Sequence, residues 1–503
     1  MKKLLLVLIA ILTLSFTLTG CSEDLKPVAN YQGEVKSGNG SFAVEKGQYV
    51  YFVNGIGDMT ASNKMGDVTK GALVRVKTAD IGTDNANVEV VIPKFANTSS
   101  AVSGFYIYGD TVYYATPYDG KDKSGKIRSD YTDFRTFELS TGKSSQILFE
   151  SKTVSDYKFL KNSNGVFLTY ETTETVDGKE AKVFNVYNTS GTKVFSVDKY
   201  TSLLTADNNS DKIFYTKMAY SQELEQDEAF AEVFSYTLGA SSAEVVFTGC
   251  GENARTRDGR NNTAYIDKTL KYSALAGSQP TLIKNTGELL IMKVAANDAN
   301  LSSYYFGIDL KGELTVANLK ELGISNTYTD AAITANSYYE RLDSIYYVED
   351  STNLKGLVKF NYSGVNNYFH GREQVCDEVA GYNIAFAQEG FLYLSGTASD
   401  YYRINLKDKK LSRITGASVK SLTEWFIPRV IGNNFICAYS DAIFQNYVYS
   451  IDMTKVNDDY IKDYKDLDRD DVINLNKTML GKKAEGDASA FGTLLDTSYP
   501  VEA

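Results

Sequence analysis

Histidine is almost missing from this chain: His370 is the only one in 503 residues. Nucleophile–histidine dyads and multi-histidine metal sites therefore find no second partner to draw on. Beside Phe369, the lone ring reads as structural. Cysteine is scarce as well, with four in all, too few for a disulfide scaffold and needless for a chain long enough to bury its own core. Positive charge falls short, with 52 basic residues against 63 acidic ones. An acidic surface offers nucleic acid no electrostatic footprint and is repelled by anionic lipid, so nucleic-acid binding is excluded as a partner class.

What is present begins at the N-terminus. Lys2 and Lys3 form a basic start, and Leu4 to Leu18 is an uncharged run of 15 residues. That length suits the apolar region of a signal peptide and is short of the ~20 residues a spanning helix needs. Leu18-Thr19-Gly20-Cys21 follows and resembles the bacterial lipobox in all four positions. The resemblance implies cleavage after residue 20 and a diacylglyceryl group on Cys21, which meets the requirement of more than one acyl chain for stable anchoring. The expected protein is a lipoprotein held on the extracytoplasmic face of a cell membrane. Without Lys2 and Lys3 the basic count becomes 50 against 63 acids, a formal charge of −13. Three cysteines then remain, an odd number, and Cys437 in Asn434-Phe-Ile-Cys-Ala-Tyr439 suits a small buried apolar position.

A short strand motif recurs along the chain. It appears as Tyr49–Val53, Thr111–Tyr114, Gly165–Thr169, Lys212–Tyr215, Thr263–Ile266, Leu289–Met292, Ser344–Tyr347, Gly390–Tyr393 and Asn434–Cys437. Steps between motif centres run from 44 to 62 residues, except for one of 25 between Tyr265 and Leu290. Most motifs follow another short strand and a Gly, Asn or Asp turn, as in Phe105–Tyr108 before Gly109-Asp110. A third strand ending in a turn comes next, then a fourth. Four antiparallel strands per unit, repeated radially, solve the problem of exposed sheet edges as a β-propeller does. The expected fold is all-β: a propeller of about eight four-stranded blades over residues 41–456. The 25-residue step leaves seven or nine open. Residues 1–20 are the signal peptide, 21–40 a lipidated tether and 457–503 a polar, partly helical tail, with Asp470 as helix N-cap and Gly481 as stop.

These strands and hairpins, Ile345–Tyr347 and Leu357–Gly364 among them, resemble secreted Gram-positive-type propeller domains of unknown function and, more distantly, the YWTD propellers. The resemblance implies architecture only. One histidine, one tryptophan and no Gly-Gly pair separate the chain from WD40 and kelch repeats, and no Asp-box repeat appears. Val28–Tyr31 and Glu34-Val35 are expected to supply the missing edge strand of the last blade, stapling it to the first.

Candidate sites are few, and no catalytic set, metal site or cofactor site is expected. Asp466-Leu-Asp-Arg-Asp470 has the acid spacing of a calcium loop but lacks its glycine and its final carboxylate. Arg255, Arg257 and Arg260 look like an anion clamp, yet Asp258-Gly259 falls in register with the hairpin turns of other repeats. Most tyrosines sit within strand motifs and suit core packing. Loop residues Tyr118, Tyr131 and Tyr220 remain as binding candidates. The connections between second and third strands are long and polar at Gly55–Gly71, Pro117–Asp133, Glu171–Ala181 and Ala219–Ala231. Alternate connections lie at one end of antiparallel strands, so this face is expected to contact a protein or glycan ligand. The leading expectation is a binding or scaffolding module. A carboxylate-based polysaccharide hydrolase or lyase is the alternative, because such chemistry needs only two acids.

Overall fold

The computed structural model describes residues 25–54, 72–83, 86–92, 95, 104–117, 132–150, 157–205, 211–221, 226–248, 280–285, 289–294, 304–309, 319–324, 337–340, 344–350, 355–363, 368–396, 401–414, 427–440, 446–456 and 477–479. Among them, the strands form eight antiparallel sheets that follow one another along the chain. Sheet 1 spans 35–92, sheet 2 106–150, sheet 3 158–198 and sheet 4 200–248. Sheet 5 spans 280–324, sheet 6 338–376, sheet 7 383–413 and sheet 8 429–479. Sheets 2 to 8 have four strands in chain order; sheet 1 carries an additional one on its leading edge.

The recurring motif is the same strand each time. Thr111–Pro117, Gly165–Val176, Lys212–Ser221, Leu289–Val294, Ser344–Asp350, Phe391–Ser395 and Asn434–Ser440 are all second strands. Tyr49–Val53 holds the corresponding place in sheet 1, and every one of its residues is buried. A strand buried on alternate and intervening positions alike must be covered on both faces, which explains why the motif departs from simple polar–apolar alternation. Tyr265, the remaining motif centre, lies outside the described residues.

Side chains between successive sheets supply that cover. Phe134 of sheet 2 stacks on Tyr170 of sheet 3 with ring centroids 5.4 Å apart, and Tyr170 stacks on Tyr187 at 5.6 Å. Phe195 of sheet 3 lies 3.8 Å above Tyr236 of sheet 4. Tyr346 and Leu357 of sheet 6 share a cluster with Leu392 and Ile404 of sheet 7, and Tyr393 and Tyr401 of sheet 7 share one with Phe435 and Tyr449 of sheet 8. The core around sheet 1 draws on both sheets: it contains Val112 and Phe137 of sheet 2 and also Ile431, Ile436 and Val448 of sheet 8. Buried tyrosines thus pack as core residues, Tyr51, Tyr170, Tyr236, Tyr347 and Tyr401 among the most enclosed.

Cations recur opposite these aromatic strands, the first of them buried. Arg75 pairs in register with Tyr51, its guanidinium lies 4.0 Å over the Tyr49 ring, and its Nε donates to Glu89 at 2.7 Å. Lys359 faces Tyr346 and Arg403 faces Tyr393 in the same cross-strand relation. Each cation meets an aromatic face: Lys359 lies 5.3 Å from Tyr346, and Arg403 lies 4.9 Å from Phe391.

The ends of the chain depart from the expected exchange of strands. Val35–Ser37 pairs with Ala43–Lys46 of sheet 1 and makes no pairing with sheet 8. The segment before it joins sheet 1 to sheet 2: Leu25 N donates to Gly142 O, and Val28 N to Leu139 O. Beyond it, Asn39 Oδ1 accepts from Ile107 N at 2.6 Å. The described part of the expected tether therefore lies on the sheets. The fourth strand of sheet 8 is Lys477–Met479, paired with Tyr449–Ile451, within the stretch expected to be helical up to Leu480. An open sheet edge offers backbone partners at once, whereas an isolated polar helix of about ten residues is marginal in water. The rest of the 457–503 tail lies outside the described residues. Among the described residues, no helix is long and apolar enough to cross a membrane.

Candidate binding end of sheets 2 to 4

The connections between second and third strands all leave the sheets at one end. In sheets 3 and 4 their described residues are strand. Gly165–Val176 continues directly against Lys179–Asn188, and Lys212–Ser221 against Gln226–Thr237. The first and fourth strands of sheet 3 stop pairing at Thr169 and Val183, so residues 173–182 form a two-stranded ribbon. Asp177 and Gly178 turn it, with φ of 51° and 77°. Positive φ at both central residues is the type I′ turn, whose twist matches that of the flanking strands and which Asp-Gly favours. This dipeptide was the signal, overlooked because the surrounding Thr and Glu residues read as a polar loop. In sheet 4, residues 218–221 and 226–231 form the corresponding ribbon.

A two-stranded ribbon is at best marginally stable alone, so its supports matter. Asn185, fully buried at the ribbon's base, donates through Nδ2 to Glu174 at 2.7 Å and accepts from Ser196 Oγ at 2.8 Å. Lys193 Nζ adds an ion pair to Glu174 at 3.0 Å. Burial acts to raise the Glu174 carboxyl pKa, but the Asn185 and Lys193 contacts outweigh it and leave the group below its ordinary value.

The chain passes from sheet 3 to sheet 4 through a single residue, Lys199, in the left-handed region at φ 51°. Its neighbours tie the two sheets together. Asp198 pairs with Lys217 of sheet 4 at 3.0 Å, and Lys199 pairs with Asp177 at the ribbon turn at 3.3 Å. The Tyr200 hydroxyl donates to Glu171, which also holds Lys182 Nζ at 2.7 Å. Burial, and then the Glu171 carboxylate, push the Tyr200 hydroxyl well above the usual phenol range. Asp198 is drawn below its ordinary value: burial opposes this, and the Lys217 hydrogen bond and charge prevail. Lysine–carboxylate contacts thus run from the crossover to the ribbon. Exposed pairs of this kind contribute ~0–1 kcal/mol each. Their main effect here is geometric, since they fix how the ribbon leans.

Sheet 2 presents a buried polar foot at the same end. Asp133, in register with Thr116, accepts from Arg135 Nη1 at 3.0 Å and from Gln146 Nε2 at 2.8 Å. In sequence it follows the connection that carries Tyr118 and Tyr131, both outside the described residues. Tyr220 lies in the sheet 4 ribbon, in register with Asp227, so it belongs to a strand and not to a loop. His370 lies in the fourth strand of sheet 6, opposite Asn361. Arg255, Arg257, Arg260 and Asp466–Asp470 fall outside the described residues. Among the described residues, no three His, Cys, Asp or Glu side chains are grouped to hold a metal ion.

No family model matches the chain, and no curated protein does. Solved structures similar to it include the propeller domain of the Trilobed protease from Pyrococcus furiosus, at 9% identity, covering 88% of this chain and 98% of that one, with a TM-score of 0.36. The C-terminal WD40 domain of Sif2 is similar at 10% identity over 84% of this chain and 99% of that one, again with a TM-score of 0.36. A prolyl endopeptidase structure matches at 12% identity and a TM-score of 0.39, over 70% of this chain; the chain spans 46% of that protein's length. The described residues of this chain form an all-β fold of successive antiparallel sheets. Identities this low concern architecture alone.

Proposed function

We propose that the protein is a lipoprotein anchored through Cys21 on the extracytoplasmic face of a cell membrane, where it binds or scaffolds an envelope or extracellular partner. The scaffold of this reading is a ring of eight blades. Its support is the core of sheet 1, which takes in residues of sheet 2 on one side and of sheet 8 on the other.

The observation that carries the binding role is the pair of ribbons on sheets 3 and 4, the first of them tied at its turn and base to the Asp198-Lys199-Tyr200 crossover that leads into sheet 4. Loops and hairpins held on a rigid frame are the usual place for recognition. Glu174, Asp177 and Lys182 of the sheet 3 ribbon are paired with Lys193, Lys199 and Glu171 at its base and crossover, which suits a preshaped surface better than a reaction centre. Tyr220, in register with Asp227 in the sheet 4 ribbon, is the first side chain to substitute, and Tyr118 and Tyr131, which lie in sequence between the second and third strands of sheet 2, come next.

The test is to shorten the ribbon. Removing Thr173–Val176 and Lys179–Lys182 leaves Asp177-Gly178 to join Thr172 directly to Val183, a pair already opposite each other. Affinity capture from an envelope fraction and a glycan array would compare this variant with the intact chain. Loss of the captured partner is expected, with a melting temperature that falls no further than loss of the Asn185–Glu174 contact requires. Equal capture by both proteins would sink the reading. Metabolic acyl labelling tests the anchor independently, and Cys21→Ala should abolish it.

A further inference from the structure

We infer that the membrane lies against the end of the sheets that carries the tight turns, so that the ribbon-bearing end faces away from it. This inference rests on the reading of Cys21 as the lipidated residue.

Described chain begins only four residues beyond Cys21, and it is already fixed in place. Leu25 and Val28 are 7% and 9% exposed and belong to the core around sheet 1. Leu25 N donates to Gly142 O at 2.8 Å, and Val28 N to Leu139 O at 2.7 Å. Both acceptors lie in the turn between the third and fourth strands of sheet 2. The segment then crosses to sheet 1, where Gly47 N donates to Glu34 O at 3.0 Å in the turn between Ala43–Lys46 and Tyr49–Val53. Turns of these two kinds lie at the same end of antiparallel strands, opposite the ribbons. The N-terminal segment is therefore attached at two points on neighbouring sheets, and both are at the turn end.

Chain length sets the remaining distance. Four residues span at most ~14 Å when fully extended. The diacylglyceryl group on Cys21 must sit at the lipid headgroups, so the Gly142 turn is held within about that distance of the bilayer surface. A freely hinged tether running to residue 40 would let the disc present any face. A tether pinned at residue 25 does not. The surface chemistry is compatible: the turn at 188–192 is uncharged and polar, with Thr189, Ser190 and Thr192 exposed, able to lie beside headgroups without inserting.

The test uses the full-length lipidated protein reconstituted in phosphatidylcholine–phosphatidylglycerol vesicles carrying a headgroup energy acceptor. Donor dye is placed either at Thr189→Cys in the sheet 3 turn or at Glu180→Cys on the ribbon, in a Cys250→Ser background. Both positions are exposed, and they are separated by up to ~30 Å along the strand. Transfer should be at least several-fold stronger from position 189. Equal transfer, or stronger transfer from position 180, overturns the orientation while leaving the anchor intact. Vesicles that fail to float the wild-type protein overturn the anchor reading and this inference with it.

Discussion

Gly142 offers a sharp test of how the N-terminal segment is held. It adopts φ of +77°, and a Cβ built there would lie 2.1 Å from Leu25 O, a backbone atom that no side-chain rotation can move aside. Gly109, in the other turn of the same sheet, adopts φ of +63° with nothing within 4 Å of the equivalent Cβ. Alanine at either position carries the left-handed strain of roughly 1–2 kcal/mol. Only Gly142→Ala must also displace residues 25–28. Burying Leu25 and Val28 contributes roughly 3–6 kcal/mol, and their two backbone hydrogen bonds about 1 kcal/mol each. Ordering four residues takes back at least about 4 kcal/mol, which leaves the attachment favoured by roughly 1–4 kcal/mol. At about 1.4 kcal/mol per factor of ten, the Leu25 and Val28 amides should exchange between about fivefold and several hundredfold more slowly than in free chain. Hydrogen exchange read by mass spectrometry should show this protection in the wild type and in Gly109→Ala, and its loss in Gly142→Ala. Protection that survives Gly142→Ala, or that both glycine variants lose equally, would refute the reasoning.

Three further outcomes follow from the same contacts. Asn185→Ala takes the acceptor from the Ser196 hydroxyl and leaves Glu174 to Lys193 alone, at a cost of about 1–3 kcal/mol, and should speed exchange across Glu171–Lys182 while sheet 7 is unaffected. Glu174 and Asp198 have folded pKa values below their ordinary ones, so their unfolded forms bind more protons in acid and their stabilisation is lost as pH falls below about 4.5; ribbon exchange, corrected for its intrinsic pH dependence, should rise from pH 5 to pH 3, and Glu174→Gln should flatten part of that rise. Cys376 is buried, with its thiol pushed up to about 12 by burial and then by Glu378, and Cys437 is buried as well; in a Cys250→Ser background neither should react with a thiol reagent at pH 8 until the protein unfolds, and fast reaction of the native protein would contradict the packing.

Much of the architecture was legible because each unit repeats one demand. A second strand covered on both faces must be apolar at nearly every position, and Tyr49–Val53 and Leu289–Met292 announce that without reference to their neighbours. Turns were legible for the same local reason, since Gly109-Asp110 and Asn164-Gly165 carry their own conformational preference. The chain ends were not. A three-residue edge strand such as Lys477–Met479 needs only backbone groups, so its composition does not separate it from the polar helix expected there. The N-terminal stretch was recognised as a strand, but which edge it joins depends on edges made far away in sequence. Sheet 1 took it because Ala43–Lys46 follows within a few residues. The binding end was half legible: its location followed from strand order, whereas its ribbons hid in Thr- and Glu-rich sequence. The ties from Asp198, Lys199 and Tyr200 link residues 19 to 29 positions apart through side chains whose types are ordinary surface residues.

Strand order also governs how such a chain can be made. Sheets 2 to 7 are each assembled from consecutive strands, so every hydrogen-bonded ladder in them closes within a few dozen residues of where it began. Ladders that local carry little loop-closure entropy and form early, and synthesis releases the N-terminal part first. A nascent chain can therefore complete one sheet after another as it emerges, each offering a finished face for the next to pack upon. The contact of Ile431, Ile436 and Val448 with the core of sheet 1 is the exception, for it joins the first unit to the last. Until those residues arrive, sheet 1 exposes an apolar face. The span between the first sheet and the eighth is then the interval in which an incomplete chain is most open to aggregation or to capture by a chaperone.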